Sequence, residues 1–475
     1  MSMSDEGRPL APQGYDCAEK RAGDNPHVCA APAMAARDWL ALAAAGVLGV
    51  AWCAVLDRDY SGFSSFFFLV GGPELTLMIV AFFTVILVLR RRDLRLTRGK
   101  RALLAATLGC ALVPAVNLCQ DVRALNAFVL GACCLVTFYT LCGASVEDAL
   151  GIGGMFRSVG NFVRAQLAHM ALPFRAARGA SRGSVGAVLL GALVAAGVLV
   201  VVVPLLASAD YIFNSVLTGL FGRMLSNLPD DLVRIAHALV LTLLGFSLLY
   251  AATHGEARPV PHREPGRPAS PITVAIVLAA VDAIYLLFIA LQAGYLFGDA
   301  ASHGGYAEYA RSGFFQLVSV AAINLALLSG ALHARREAER SRPLVALELA
   351  LVVLTALLVA SAAWRMALYV GEYGLTLLRA LTCVGVVTIV GLLVVAAARV
   401  LRTSVNAVAW GTGVILVAWL AFALSRPATW IARYNVDGYL NGTIEQIDEY
   451  YLESLSPEET RAALEELGSA SGAWD

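Results

Sequence analysis

Apolar residues in this chain come in runs about as long as a membrane is thick. A helix rises about 1.5 Å per residue, so crossing the hydrocarbon takes about 20 apolar residues. Runs of that kind lie near 39–56, 73–90, 102–119, 124–142, 184–207, 232–252, 272–297, 314–333, 344–368, 377–398 and 406–424. Only 15% of the 475 residues are charged and 59% are hydrophobic. Soluble domains are about 25% charged, so a water-soluble fold is excluded. The expected fold class is all-α: a polytopic transmembrane helix bundle of about 11 helices. It becomes 12 if residues 66–70, cut off by Gly71-Gly72-Pro73, cross separately.

The connections test this count independently. Arg90, Arg91, Arg92, Arg95, Arg98, Lys100 and Arg101 crowd the loop after the second run, and the next connection holds only Arg123. The alternation continues to the end and places 25 of the 35 basic residues on one side. Basic loops stay cytoplasmic. The expected protein therefore lies in a bacterial-type inner membrane, N-terminus in the cytoplasm and C-terminus outside. The implied divisions are a disordered tail (1–38), four spans (39–142), a cytoplasmic amphipathic segment (143–183), two spans with an outer loop (184–252), a Pro-rich linker (253–271), five spans (272–424) and an outer helical tail (425–475).

Two segments between or beyond the spans carry local signals. Met155, Phe156, Val159, Phe162, Val163, Leu167 and Met170 recur at helical spacing among Arg157, Arg164, Arg175 and Arg178. That pattern predicts an amphipathic helix over 155–178 on the cytoplasmic surface, either a lipid or curvature sensor or an elbow between bundles. In the C-terminal tail, Ser456-Pro457-Glu458-Glu459 has the form of a capping box, with Gly468 placed to end the helix. About fifty residues do not readily bury a core of their own.

Net charge is zero, which leaves no footprint for nucleic acid; membrane lipids are the expected partners. No HExxH, GxSxG, P-loop or clean GxGxxG occurs, so no catalytic residue and no cofactor is indicated. Nor does a metal site emerge: Cys17, His27 and Cys29 lack a fourth ligand.

Polar residues inside the runs are the informative ones. Asp282 sits near the middle of the seventh, where an Asp costs roughly 2.5–3.5 kcal/mol on insertion scales. Tyr285 and Gln292 share its helix face, and Asn324 and His237 on neighbouring runs are candidate partners. Two readings fit: a proton or cation site in a cavity, or a neutral Asp that pins helix packing. Glu348 and Arg365 lie 17 residues apart on one run, a spacing that lets both snorkel to opposite interfaces. Arg365, Tyr369 and Glu372 share a helix face, as an interfacial ion pair would.

Four stretches taken together carry a resemblance: LLASADYIF (205–213), LQAGYLFG with YAEYARSGFFQLV (291–298 and 306–318), RMALYVGEYGLTLLR (365–379), and IARYNVDGYL with YLESLSPEE (431–440 and 451–459). In that order they resemble the bacterial multi-pass membrane proteins grouped as domain of unknown function 4173, and the similar family 4153, from about residue 185 to 467. The resemblance implies a membrane protein and no particular activity.

The topology puts these stretches on one side of the membrane. Asp210, Glu308, Arg311, Arg365, Tyr369, Glu372, Arg379, Arg433 and Asn435 would form a single extracytoplasmic cluster with the tail folded over it. Arg in such a cluster suits an anionic headgroup or a phosphate; a network of ion pairs and Tyr anchors would look the same in sequence. Three function classes stay open: transport of a small solute or lipid, helped by Pro114 and Pro204 as helix breakers; a membrane-embedded enzyme on lipid or envelope precursors; and a structural or signalling protein.

Overall fold

The structure is a computed structural model that describes residues 34–56, 72–179, 228–257, 270–296, 314–334 and 341–471. Among the described residues all regular structure is helical. The helices are α1 (Ala36–Leu56), α2 (Pro73–Leu89), α3 (Arg98–Val116), α4 (Gln120–Leu141), α5 (Val146–Leu150), α6 (Ile152–Ala168), α7 (Leu172–Gly179) and α8 (Leu228–His254). They continue with α9 (Pro271–Leu296), α10 (Phe314–Ala334), α11 (Arg342–Tyr373), α12 (Leu377–Leu401), α13 (Ala407–Leu424), α14 (Pro427–Leu440), α15 (Glu449–Leu455) and α16 (Pro457–Ser471).

Nine of the described helices, α1, α3, α4 and α8 to α13, are long and apolar enough to cross a membrane. Helix α2 is apolar but has only 17 residues. The expected run at 184–207 lies outside the described residues, as do residues 66–71, Pro204, most of the 253–271 linker, and Cys17, His27 and Cys29.

Local chemistry moves several boundaries. Helix α1 begins at Ala36, so residues 36–38 belong to the bundle and not to a tail; Asp38 is buried and accepts the Ala35 N–H at 2.9 Å. Helix α3 begins at Arg98, behind an N-cap in which Thr97 accepts from Lys100 N. Helix α11 runs for 32 residues, from Pro343 in its first turn to a stop at Gly374, whose φ of 70° suits only glycine.

The spans form two groups. Helices α1, α2, α3, α4, α6 and α8 pack together, as do α9 to α12 with α11 at the centre. Helix α13 packs on both α12 and α3 and joins them. Their outer faces are apolar and exposed, for example Val50, Leu77, Ile284, Leu287, Val394 and Val417. A belt of that kind needs lipid rather than water around it.

Side-chain contacts define the two ends of the bundle. At one end Arg37 pairs with Asp93 at 2.7 Å, Arg90 donates to the carbonyls of Leu141 and Ala252, and Lys100 donates to Thr140 O at 2.7 Å. The last carbonyls of a helix have no partner within it, and these basic residues supply one. This end gathers the N-termini of α1 and α3 and the C-termini of α2, α4 and α8; we call it the basic end.

At the other end the tail closes over the bundle. Ile431, Ala432, Val436, Leu452, Leu455 and Leu467 share one core with Val113, Val122, Leu377, Ala380 and Phe422. Glu459 does not complete a capping box. Its Oε1 accepts the Leu118 N–H at 2.8 Å and Arg426 Nε at 3.3 Å, reaching the turn between α3 and α4. The Leu118 N–H in the turn between two spans takes the carboxylate in place of the local cap. Gly468 does not end α16, which runs on to Ser471.

The expected single helix over 155–178 is two, α6 and α7, broken at His169–Ala171 and preceded by the short α5. Helix α6 turns Met155, Val159, Val163 and Leu167 outward and presses Ser158, Asn161 and Ala165 onto α4 and α8. Small residues face protein because close helix approach needs them, and the apolar stripe is left for lipid.

Candidate functional site

The sharpest concentration of chemistry at the tail end is the turn between α11 and α12. Thr376 is the N-cap of α12, accepting from Arg379 N. Helix α14 reaches this turn through Asn435, whose amide accepts from Leu375 N at 2.6 Å and donates to Leu375 O at 2.7 Å. A Cβ on Gly374 would stand 2.5 Å from Asn435 Oδ1, so the clamp requires glycine there twice over. Tyr451 of α15 accepts the Leu377 N–H at 2.7 Å. Burial pushes its phenol up despite that bond, so it keeps its proton as a donor.

Arg379 sits in the middle of this turn. One nitrogen donates to Tyr373 O at 2.8 Å and Gly374 O at 2.7 Å, and another to Tyr369 Oη at 3.1 Å. Its guanidinium also lies 4.3 Å from the centre of the Tyr369 ring, within cation–π range. Three of five N–H groups are used; Nε and the second proton of Nη2 have no partner among the described residues, and no described carboxylate pairs with the charge.

Two cavities meet at this side chain. One, of about 210 Å³, lies under the tail and is polar, with Arg379, Asn435, Gln446, Asp448 and Tyr451 in its wall. The other, of about 250 Å³, lies between α10, α11 and α12 and is mostly apolar, with Phe314, Phe315, Met366 and Leu378 beside Tyr369 and Arg379. Phe315 and Leu378 are exposed on the outer surface of the bundle. A cation therefore stands between an apolar cleft facing lipid and a polar cavity beneath the tail.

The other residues singled out in the sequence are placed as follows. Arg365 is buried inside α11, and Glu348 on the same helix is fully buried. Neither snorkels, because both lie on the face of α11 that packs on neighbouring helices, away from its exposed stripe of Val353, Leu357 and Trp364. Glu372 is exposed; the partner of Tyr369 is Arg379, not a carboxylate. Arg433 is exposed and Asn435 buried, two positions apart on α14 and so on opposite faces. Asp210, Glu308 and Arg311 lie outside the described residues, and so does the side chain of Gln292.

Within the spans, Tyr285 on α9 donates to Asn324 Oδ1 on α10 at 2.7 Å. Asn324 donates to Thr355 Oγ1 on α11 at 2.9 Å, and Thr355 donates to Leu351 O at 2.6 Å. Asp282, one turn from Tyr285, is 5% exposed, and neither carboxylate oxygen has a hydrogen-bond partner among the described residues. His237 is exposed on α8, in the other helix group.

A second polar cluster, at the basic end, was not legible in the sequence. His169 Nε2 lies 2.7 Å from Glu256 Oε2, and Arg164 donates to Glu256 O at 2.6 Å. The Tyr250 ring stands between His169 and His254, at 4.7 and 4.0 Å, and His254 lies 3.8 Å from Asp38. Burial pushes the Glu256 carboxyl up, but the His169 bond and the charges of His169, Arg164 and His254 outweigh it and hold it below its ordinary value. Only the i, i+4 spacing of Tyr250 and His254 hinted at this; the rest arises from elements far apart in sequence.

Nine long apolar helices among the described residues and an exposed apolar belt define a multi-pass membrane-spanning helical protein. Residues 78–467 match the family model of the Domain of unknown function (DUF4153). The chain belongs to that family. The match includes most of the N-terminal spans and begins well before residue 185, where the sequence resemblance began. No curated protein and no solved structure matches the chain significantly.

Proposed function

We propose that this protein binds an anionic amphiphile at its tail end, with the headgroup on Arg379 and the chain in the apolar cleft. The position of Arg379 carries the reading: a guanidinium with unused donors and no carboxylate partner among the described residues, between a cleft that opens toward lipid and a polar cavity. Guanidinium suits a phosphate or carboxylate headgroup, and the Tyr451 hydroxyl adds a donor. Asp448 in the same cavity repels a second negative charge, though its Oδ1 is engaged with Tyr451 N, so a singly charged headgroup fits best.

The basic end then faces the cytoplasm of a bacterial inner membrane by the positive-inside rule, and the site serves the outer leaflet. Lipid transport is the activity we favour over chemistry on the lipid, because the buried carboxyl of Asp282 lies within a span of the same helix group. The same motifs leave membership of the related family 4173 as an expectation.

The test is lipid binding by the purified full chain, read by native mass spectrometry with phosphatidylglycerol and phosphatidylcholine. Preference for the anionic lipid is expected, and Arg379→Ala should weaken it at least tenfold, since hydrogen bonds to charged groups contribute about 1.5–3 kcal/mol. Equal binding of both lipids, or an unchanged preference in the variant, would sink the proposal.

A further inference from the structure

We infer that Asp282 is a proton-binding site whose ionisation is coupled to movement of α9 against α11. The carboxyl lies about midway along its span, almost fully buried, with both oxygens unpartnered among the described residues. Among the described residues a carboxylate there has no donor and no cation within hydrogen-bond or ion-pair reach, and burial without a partner disfavours the charged form over the neutral acid. Ionisation therefore favours any arrangement that brings the group to water or to a donor.

Helix α9 is the span best placed to make that movement. It packs chiefly on α11, and Ile276, Ile284, Leu287 and Leu291 are exposed along it. The hydrogen bond from Tyr285 to Asn324 crosses from α9 to α10 a turn from Asp282. The step is a simple acid–base exchange: the carboxyl O–H breaks, water takes the proton, and the carboxylate stays on α9.

The neighbouring titratable and charged groups do not replace it. Tyr285 on the same helix is engaged with Asn324. On α11, Glu348 and Arg365 are buried and have interactions of their own; Arg342, Tyr369 and Glu372 lie toward its ends. On α12, Cys383 is half-buried in the same core, and Arg379 is held at the turn. The inference does not depend on the lipid site.

The experiment is labelling of the full chain in nanodiscs with dicyclohexylcarbodiimide, which adds to protonated carboxyls in apolar surroundings, followed by peptide mapping. Label is expected on Asp282, falling as pH rises from 5 to 9, retained in Asp282→Glu and in Glu348→Gln, and lost in Asp282→Asn. Hydrogen–deuterium exchange of α9 should rise over the same pH range in the wild type and stay flat in Asp282→Asn. No label at any pH on a folded wild-type chain, label that follows Glu348 instead, or α9 exchange indifferent to pH would each overturn the inference. A carboxyl that only pins packing gives no pH-dependent exchange.

Discussion

Pro114 has no N–H to give, so the carbonyl of Cys110, four residues before it, loses its helical partner. Asn126 on α4 supplies one, donating to Cys110 O at 2.9 Å while its own oxygen accepts Trp419 Nε1 from α13 at 3.1 Å. Helix α3 therefore continues past the proline to Val116, and the residue read in sequence as a breaker is a junction of three helices. Interhelical hydrogen bonds within membranes average about 0.6 kcal/mol and reach about 1.7. Asn126→Ala breaks two and strands a carbonyl, so a loss of about 1–2 kcal/mol is expected. A thermal-shift assay in detergent checks it; an unchanged Tm would mean Asn126 is incidental. Glu459 is the matching case at the tail end. Its side chain is fully buried and bonded to Leu118 N and Arg426 Nε, and the ion pair holds Arg426 at a φ of 55°, a left-handed conformation rare outside glycine. Glu459→Gln keeps an acceptor and loses the pair; Glu459→Ala loses both. The alanine variant should lower stability more, by about 1.5–3 kcal/mol, and equal effects would show that only the charge matters.

At the scale of elements, spans were readable because hydrophobicity accumulates over about 20 residues and tolerates errors at the ends. Their ends were less so. The start of α3 and the full length of α11 depend on caps and turns that apolar counting ignores. Helix α6 was readable as amphipathic, but its docking was not, because Arg164 and His169 meet a Glu256 some ninety residues away. That junction gives a pH prediction. The Glu256 carboxyl is held below its ordinary value of 4.5, so its contribution is fully present above that pH. It is lost as pH falls through the depressed folded value. Contact between α6 and α8 should loosen only in acid, seen as faster hydrogen exchange in α6 below about pH 4.5, and Glu256→Gln should remove that acid limb. If the variant keeps the same acid dependence, another group governs the junction.

For the whole molecule, what holds the tail end together also shapes the proposed site. The sequence stretches at 365–379 and 431–459 are hundreds of residues from the α3–α4 turn, yet Asn117, Leu118, Glu459 and Ala423 meet there. Alternating charge predicts that these ends share a side; it does not predict that Arg379 turns to Tyr369 while Arg433 points away, since that depends on helix rotation. The tail itself cannot fold alone: its apolar residues form one core with Val113, Val122, Leu377 and Phe422. Ending the chain after Leu424 would uncover that core and also remove the Asn435 clamp and the Tyr451 hydroxyl from the Arg379 turn. Burial of each large apolar side chain contributes about 1.5–3 kcal/mol, so several such losses should cost most of the stability of this end. Size-exclusion profiles should show aggregation or a much lower Tm for the truncated chain. A smaller change separates support from binding. Asn435→Ala keeps the apolar core but frees the Leu375 peptide, so the fold should survive while anionic-lipid preference falls along with the position of Arg379. A truncated chain as stable as the full one would mean that the tail is an appendage, and the site beneath it would then need another wall.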